Sequence, residues 1–462
     1  MLIRNAEVWG VGLADVRISG GVIAEINRDC PYSAQLDARG GALLPGLHDH
    51  HIHLAGLAAR ATSLWCGPPE IANAEALAER LAAHPGEGWL RGIAYHESVM
   101  GLPGATQLDR MVSHRPLRIQ HRSGRMWLLN SLALAQLLAR ANPPPGLERE
   151  GGRFTGRLFD EDRWLRQALV STPPGFAAVS AELARFGVTG ITDMSPRNDA
   201  AMAAHFAAQH DCGNLQQNSW LAGELSLAGA APGPWQIGPA KLHLHEAALP
   251  AFEDAAGFIV AAHGQERAVA VHCVSEVELV FALAAFEEAG AGSDDRIEHA
   301  SVASPELVAR MAALGLRVCV QPHFIAERGD AYLRDVEERH RGDLYRLASL
   351  AEAGIALAGG SDAPFASADP WAAMRAAVSR RTRDGVVIGA GEALSPEAAL
   401  ALYLADPREL SRQRRIAVGE PADLCLLGVP WAEARGLLSS AHVRAVIAGG
   451  RLIHDRVDQP PV

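Results

Sequence analysis

Apolar positions along this chain follow two rhythms. Near the start, LIRNAEVW, ADVRISGG and VIAEINR alternate apolar and polar residues, the period of half-buried strands, and Gly-Gly pairs at 20–21 and 40–41 punctuate them. The far end repeats the style in ADLCLLG at 422–428 and VRAVIAGGRLIHD at 443–455. Neither piece is large enough to bury a core alone. The two ends, 1–43 and 413–462, are therefore expected to pair as one small β-sandwich domain.

Between them the rhythm changes. Strand-like apolar runs at 42–53, 187–194, 215–222, 240–246, 268–274, 296–300, 316–322 and 355–362 alternate with helical patterns such as EVELVFALAAFEEAG and SPELVARMAALG. Repeated strand–helix alternation predicts parallel βα units. Eight such strands make the expected fold an α/β protein, a distorted TIM (β/α)8 barrel over 44–412. The gap after the first strand is too long for one helix. Residues 55–180 are expected to form a large insertion, or cap, with a strand of its own (RPLRIQHR) and a Pro/Gly loop. Such an insertion is expected over a strand end, where it can close a site.

Composition narrows the functional classes. The 462 residues are 48% hydrophobic and 21% charged, enough apolar material for a large core. The formal net charge of -11 and the lack of a long basic run argue against nucleic acid and anionic membrane surfaces as partners. No secretory signal pattern and no apolar stretch of membrane-spanning length is evident. Six scattered cysteines with no CxxC pair read as thiols in a reducing compartment, so a cytoplasmic protein is expected.

The candidate chemistry lies at strand ends. In PGLHDHHIH, His51 and His53 are two apart on a predicted strand and project from one face, with Asp49 beside them; His48 and His50 face the other way and read as structural. Two imidazoles at that spacing can grip a metal ion, although an HxH pair also arises by chance. His272 ends AVAVHC, His299 ends RIEH, and Asp362 ends IALAGGSD. Each is a ligand type at the carboxyl end of a predicted barrel strand, where this architecture builds its sites. Lys241 enters another strand, where burial requires neutralisation or a partner. Carbamylation by CO2 would make it an anion able to bridge two cations; an ordinary ion pair is the alternative, and His243 and His245 are substitute ligands on its face.

Taken in order, these residues resemble the amidohydrolase superfamily: the HxH after strand 1, lysine on strand 4, histidines on strands 5 and 6, and aspartate on strand 8. Within it, the chain resembles amidohydrolase family 3, the group that includes N-substituted formamide deformylases. Residues carrying the likeness include Pro45-Gly46, Leu108-Asp109, Asn130-Ser131, Thr155-Gly156, Gln321-Pro322, Gly360-Ser361-Asp362 and Ala422-Asp423-Leu424. The resemblance implies that His51 and His53 bind the more buried metal. It implies that a carbamylated Lys241 bridges to a second metal held by His272 and His299, and that Asp362 contacts the buried metal and the water. The insertion departs from the family pattern. Ser123-Gly124-Arg125 stands where relatives read Asp-Gly-His, and Gly92-Ile93-Ala94-Tyr95-His96 replaces a segment ending aromatic-Asp.

The expected activity is metal-dependent hydrolysis of an amide or cyclic amide C–N bond through a metal-activated water, with Asp362 as general base and then acid. Zinc suits the histidines, as one or two ions; manganese or iron also fits the oxygen ligands. Arg125 is a candidate to hold a substrate carboxylate, with an Arg–acid pair inside the insertion as the alternative. His96, His121 and His323 are further substrate-binding candidates, whereas Trp65, Tyr95 and Trp127 read as packing. The competing activities are heterocycle deamination, which Lys241 argues against, and ester or lactone hydrolysis on the same site. A catalytically silent binding protein is disfavoured by the intact ligand set. The partner is a small-molecule substrate, and self-association into a homo-oligomer is an open expectation.

Overall fold

The computed structural model of the chain describes residues 1–28, 35–169 and 173–456, so Cys30 lies outside the described residues. The chain divides into two compact units, Met1–Leu54 with Gly175–Val462, and Ala55–Pro174.

The first unit contains a nearly closed barrel of eight parallel strands. They are β1 (Leu47–Ile52), β2 (Val188–Asp193), β3 (Asn218–Gly223), β4 (Gln236–His243), β5 (Val269–Cys273), β6 (Arg296–His299), β7 (Arg317–Val320) and β8 (Leu357–Gly359). Each pairs in parallel with the next in chain order. Buried runs such as Val269–Val271 face apolar surroundings on both sides, as enclosed parallel strands require. β8 returns to β1 through main-chain bonds beyond the strands: the Asp362 N–H donates to the His51 carbonyl at 2.6 Å, and the His53 N–H to that of Ala363 at 2.8 Å. Gly360 permits this approach, because a Cβ there would lie 2.4 Å from the Cβ of His51.

Local sequence explains the connecting helices. Glu276–Ala289 starts at Ser275, whose hydroxyl accepts from the Glu278 N–H while Glu278 reaches back, a capping box. Pro305–Ala313 has Ser304 as its cap and proline in the first turn, where its missing N–H costs nothing. Between β3 and β4 the helical turn is short, the 3-10 segment Leu225–Gly229.

The expected first barrel strand, 42–53, divides in two. Ala42–Pro45 pairs with Leu424–Leu427 in the sheet made by the chain ends, and only Leu47–Ile52 enters the barrel. The break falls at Gly46, where a Cβ would meet Thr189 Oγ1 at 2.2 Å, so the chain crosses from one sheet to the other against the β2 side chain. The end sheet runs through eight strands from both termini, and Ile3, Val16, Ile18, Leu424, Leu426 and Ile447 share its apolar core. This is the β-sandwich part of the fold.

The second unit carries its own six-stranded sheet. Leu90–Tyr95 and Leu117–His121 pair in parallel, and Leu117–His121 continues antiparallel to Met126–Leu129. Tyr95 and Trp127 are buried in its cores, as expected of packing residues.

Candidate metal and catalytic centre

The carboxyl ends of the barrel strands bring the candidate ligands of the first unit together. His51 and His53 turn Nε2 toward Asp362 Oδ1, at 3.4 Å and 3.1 Å. These ligand-type atoms lie within 4.8 Å of one another. The ring of His299 is centred 4.8 Å from that of His51 and 4.5 Å from that of His272, while His243 and His272 are 4.3 Å apart. Lys241 sits two residues before His243 on β4; it is buried and its Nζ has no hydrogen-bond partner.

What orients the imidazoles is as informative as their spacing. His51 directs Nδ1 to the fully buried Glu298 carboxylate, which also ion-pairs with Arg296. A carboxylate only accepts, so Nδ1 carries the proton and Nε2 keeps its lone pair. His299 follows the same rule. Its Nδ1 lies 2.7 Å from Gln321 Oε1, the Gln321 amide nitrogen donates to the Cys319 carbonyl, and Nε2 of His299 is buried without a partner. His53 places Nδ1 3.2 Å from the Ser195 hydroxyl. Three Nε2 atoms are thus left facing inward, the pattern of metal-binding histidines held from behind.

Electrostatics agree. Burial pushes the imidazoles of His51, His272 and His299 below their ordinary range, so they are neutral and able to ligate. Burial likewise lowers the Lys241 ammonium. Burial alone would raise the Asp362 carboxyl, but the His53 hydrogen bond and the adjacent imidazoles of His51 and His299 outweigh it and hold the group ionised. Asp49 behaves differently: burial raises it to about 7, against the N–H groups of Ser361 and His51 that it accepts. Asp362 and His299 also adopt left-handed backbone conformations, φ 52° and 73°, strain that tertiary structure must hold in place.

A second cluster, His51 Nδ1 with Glu298 and Cys319, is also close. It is a poor cation site. Glu298 is already paired with Arg296, and burial pushes the Cys319 thiol well up, which keeps it protonated. The orphaned Nζ of Lys241 and Nε2 of His299, beside the His51–His53–Asp362 set, fit a divalent ion.

The remaining predicted residues are placed as follows. His323 is buried and puts Nε2 2.8 Å from the Ser361 carbonyl, so it holds the loop that carries Asp362. His245 turns its ring to the Ala247 N–H of its own turn. His48 meets Thr192 and packs beside His50, away from the ligand face. Arg125, His96 and His121 belong to the second unit. Arg125 makes a two-pronged pair with Asp160 at 2.8 Å on each arm, the Arg–acid alternative. His121 and His96 bracket Glu97, at 2.8 Å and 3.4 Å. Sequence reading missed Glu298 as an orienting group. It precedes His299 on β6, and only the closed barrel brings it to His51, 247 residues away.

A barrel with histidines and an aspartate converging at its strand ends defines a hydrolase of the metal-assisted kind. Residues 35–454 match the model described as the amidohydrolase family. The chain belongs to that family, and is a hydrolytic enzyme acting on carbon–nitrogen bonds. It is 25% identical to the putative amidohydrolase YtcJ of Bacillus subtilis (strain 168), over 92% of this chain and 91% of that one. It is also 25% identical to an N-substituted formamide deformylase of Arthrobacter pascens, over 99% and 98%. Among solved structures, an uncharacterized metal-dependent hydrolase from Pyrococcus horikoshii OT3 superposes with a TM-score of 0.79 at 20% identity, over 96% of this chain and 99% of that one. One from Pyrococcus furiosus gives 0.74, also at 20% identity, over 92% and 98%. These likenesses show the fold. No helix among the described residues is long and apolar enough to cross a membrane.

Proposed function

We propose that this enzyme cleaves the C–N bond of a linear or cyclic amide, with His51, His53 and Asp362 on one zinc ion and a carbamylated Lys241, His272 and His299 on a second. The observation that carries the reading is the convergence of three inward-facing Nε2 atoms and Asp362 beside a buried ammonium with no partner. A divalent ion in such a set supplies a bound water of near-neutral pKa and a Lewis acid for the carbonyl oxygen. The chain's own groups do the rest. Asp362, held ionised, takes the proton of the attacking water and returns it to the leaving nitrogen. Glu298 and Gln321 fix the rings of His51 and His299. Carbamylation requires a neutral amine, and burial moves Lys241 in that direction. The free state of all five described cysteines suits the cytosol.

The deformylase likeness makes N-formyl and other N-acyl amines the first compounds to assay, followed by cyclic amides. Elemental analysis of chelator-free protein tests the metal assignment beside a Lys241→Ala variant. About two ions per chain, falling in the variant, support the bridged site. One ion in both proteins overturns the bridging role of Lys241. No amide turnover in the metal-loaded enzyme, with ester turnover intact, overturns the proposed substrate class.

A further inference from the structure

Within the first unit, the amino-terminal ends of β1–β4 border a cavity of about 270 Å³ that also takes in the segment 406–415. It lies at the opposite ends of the strands from His51, His53 and Asp362, and nothing in the proposed reaction uses it. Its walls combine two flat indoles, Trp220 and Trp235, with arginines. Trp235 is largely buried and Trp220 half-buried.

The charges around this cavity do not cancel locally. Each acid there is already engaged: Asp406 with Arg412, Glu420 with Arg415, and Asp423 with the Gly449 N–H and the Asn218 amide. Arg414 has no carboxylate within ion-pairing distance among the described residues. Its guanidinium is steered instead by the carbonyls of Tyr403 and Ala405, at 2.9 Å and 3.3 Å. Arg408, exposed at the rim, makes no side-chain hydrogen bond or ion pair among the described residues. Four arginines against three acids leave one positive charge in excess, and the guanidinium groups of Arg408 and Arg414 remain for an anion beside the aromatic faces.

We propose that this cavity is a second ligand site, for a small aromatic carboxylate. Arg414 and Arg408 would take the carboxylate, because guanidinium forks match its two oxygens. The ring would lie against Trp220 and Trp235. The volume admits one or two fused rings and excludes larger ligands, since drug-sized pockets start at about 300 Å³. The site also touches catalysis indirectly: His48, in its wall, is on β1, the strand that carries His51.

Calorimetric titration with indole-3-carboxylate tests this, with acetate and benzamide as the charge-only and ring-only controls. The expected result is a Kd below about 1 mM for indole-3-carboxylate, with both controls at least about tenfold weaker. Arg414→Gln and Arg408→Ala should each weaken binding by about tenfold or more. Arg408 is exposed, so that variant keeps the test decisive if Arg414→Gln does not fold. The titration is repeated after chelation, and binding should persist, which separates this cavity from a carboxylate sitting on the metal ligands. Equal affinity for acetate or for benzamide, binding unaffected by Arg408→Ala, or binding lost with the metal each overturns the proposal, as does the absence of binding.

Discussion

At the barrel mouth His51 and His53 turn Nε2 toward Asp362, and in the insertion His121 and His96 turn Nε2 toward Glu97. By residue type the two clusters are alike. They differ in what stands behind each ring. In the insertion, Nδ1 of His96 accepts the Ser98 N–H and Nδ1 of His121 accepts the Ser123 N–H. A backbone N–H can only donate, so the ring proton sits on Nε2 and is given to Glu97. At the mouth, Glu298 takes the Nδ1 proton of His51, and Gln321 that of His299. Their Nε2 lone pairs face inward. Burial of the acids differs as well: the Asp362 side chain is 11% exposed, whereas that of Glu97 is 55% exposed. The comparison teaches that a ligand set is recognised by which nitrogen faces the carboxylate and how dry the site is, more than by the count of histidines.

The sharpest way to break this comparison is to remove one ring from each cluster. His51→Ala should empty the metal site and cut amide hydrolysis by roughly a thousandfold or more, since a catalytic ion contributes several kcal/mol to the transition state. His121→Ala should leave the metal content unchanged. Elemental analysis of both variants checks this; metal lost equally from the two would mean that the insertion cluster is a ligand set after all.

A smaller effect is expected from the group behind the ring. Glu298→Gln keeps the size but replaces the carboxylate that fixes the His51 tautomer. Metal affinity should fall by about 10–100-fold, the usual cost of losing such a partner. The same change leaves Arg296 buried without its counter-charge, so stability should drop by about 3–5 kcal/mol. Metal titration and denaturant unfolding of the same variant read the two effects separately. A folded variant with native metal affinity would remove Glu298 from the site.

The contrast also marks how far the sequence could be read. The barrel, the end sheet and the convergence of His51, His53 and Asp362 were legible because they rest on local rules: strand alternation, the period of two in His51 and His53, and residue types at strand carboxyl ends. Gly46 was not legible as a break. The need for it comes from Thr189, a β2 side chain 143 residues away, so 42–53 read as one strand. Glu298 was invisible for the same reason, since its partner is set by barrel closure. In the insertion, His96 could be picked out as a departure from the family pattern and His121 as a further candidate. Their tautomers depend on turns at Ser98 and Ser123 that residue type alone does not specify.

The mildest test uses pH on the insertion alone. The hydrogen bond from His121, with smaller help from the Glu97 backbone N–H, holds the Glu97 carboxyl at about 2, below the ordinary glutamate value of 4.5. A carboxyl lowered in the folded state contributes stability that is fully present above its unfolded value and is lost as pH falls through the folded one. The contribution of Glu97 should therefore be complete above pH 4.5 and decline between 4.5 and about 2. His121→Ala should move the Glu97 titration, read by carboxyl-carbon NMR, back toward 4.5, with no change in metal content. Glu97 is exposed, so solvent screens the pair and the overall stability should change little. A Glu97 that already titrates near 4.5 in the parent protein would show that the His121 proton is not on Nε2, and the tautomer distinction between the two clusters would fail with it.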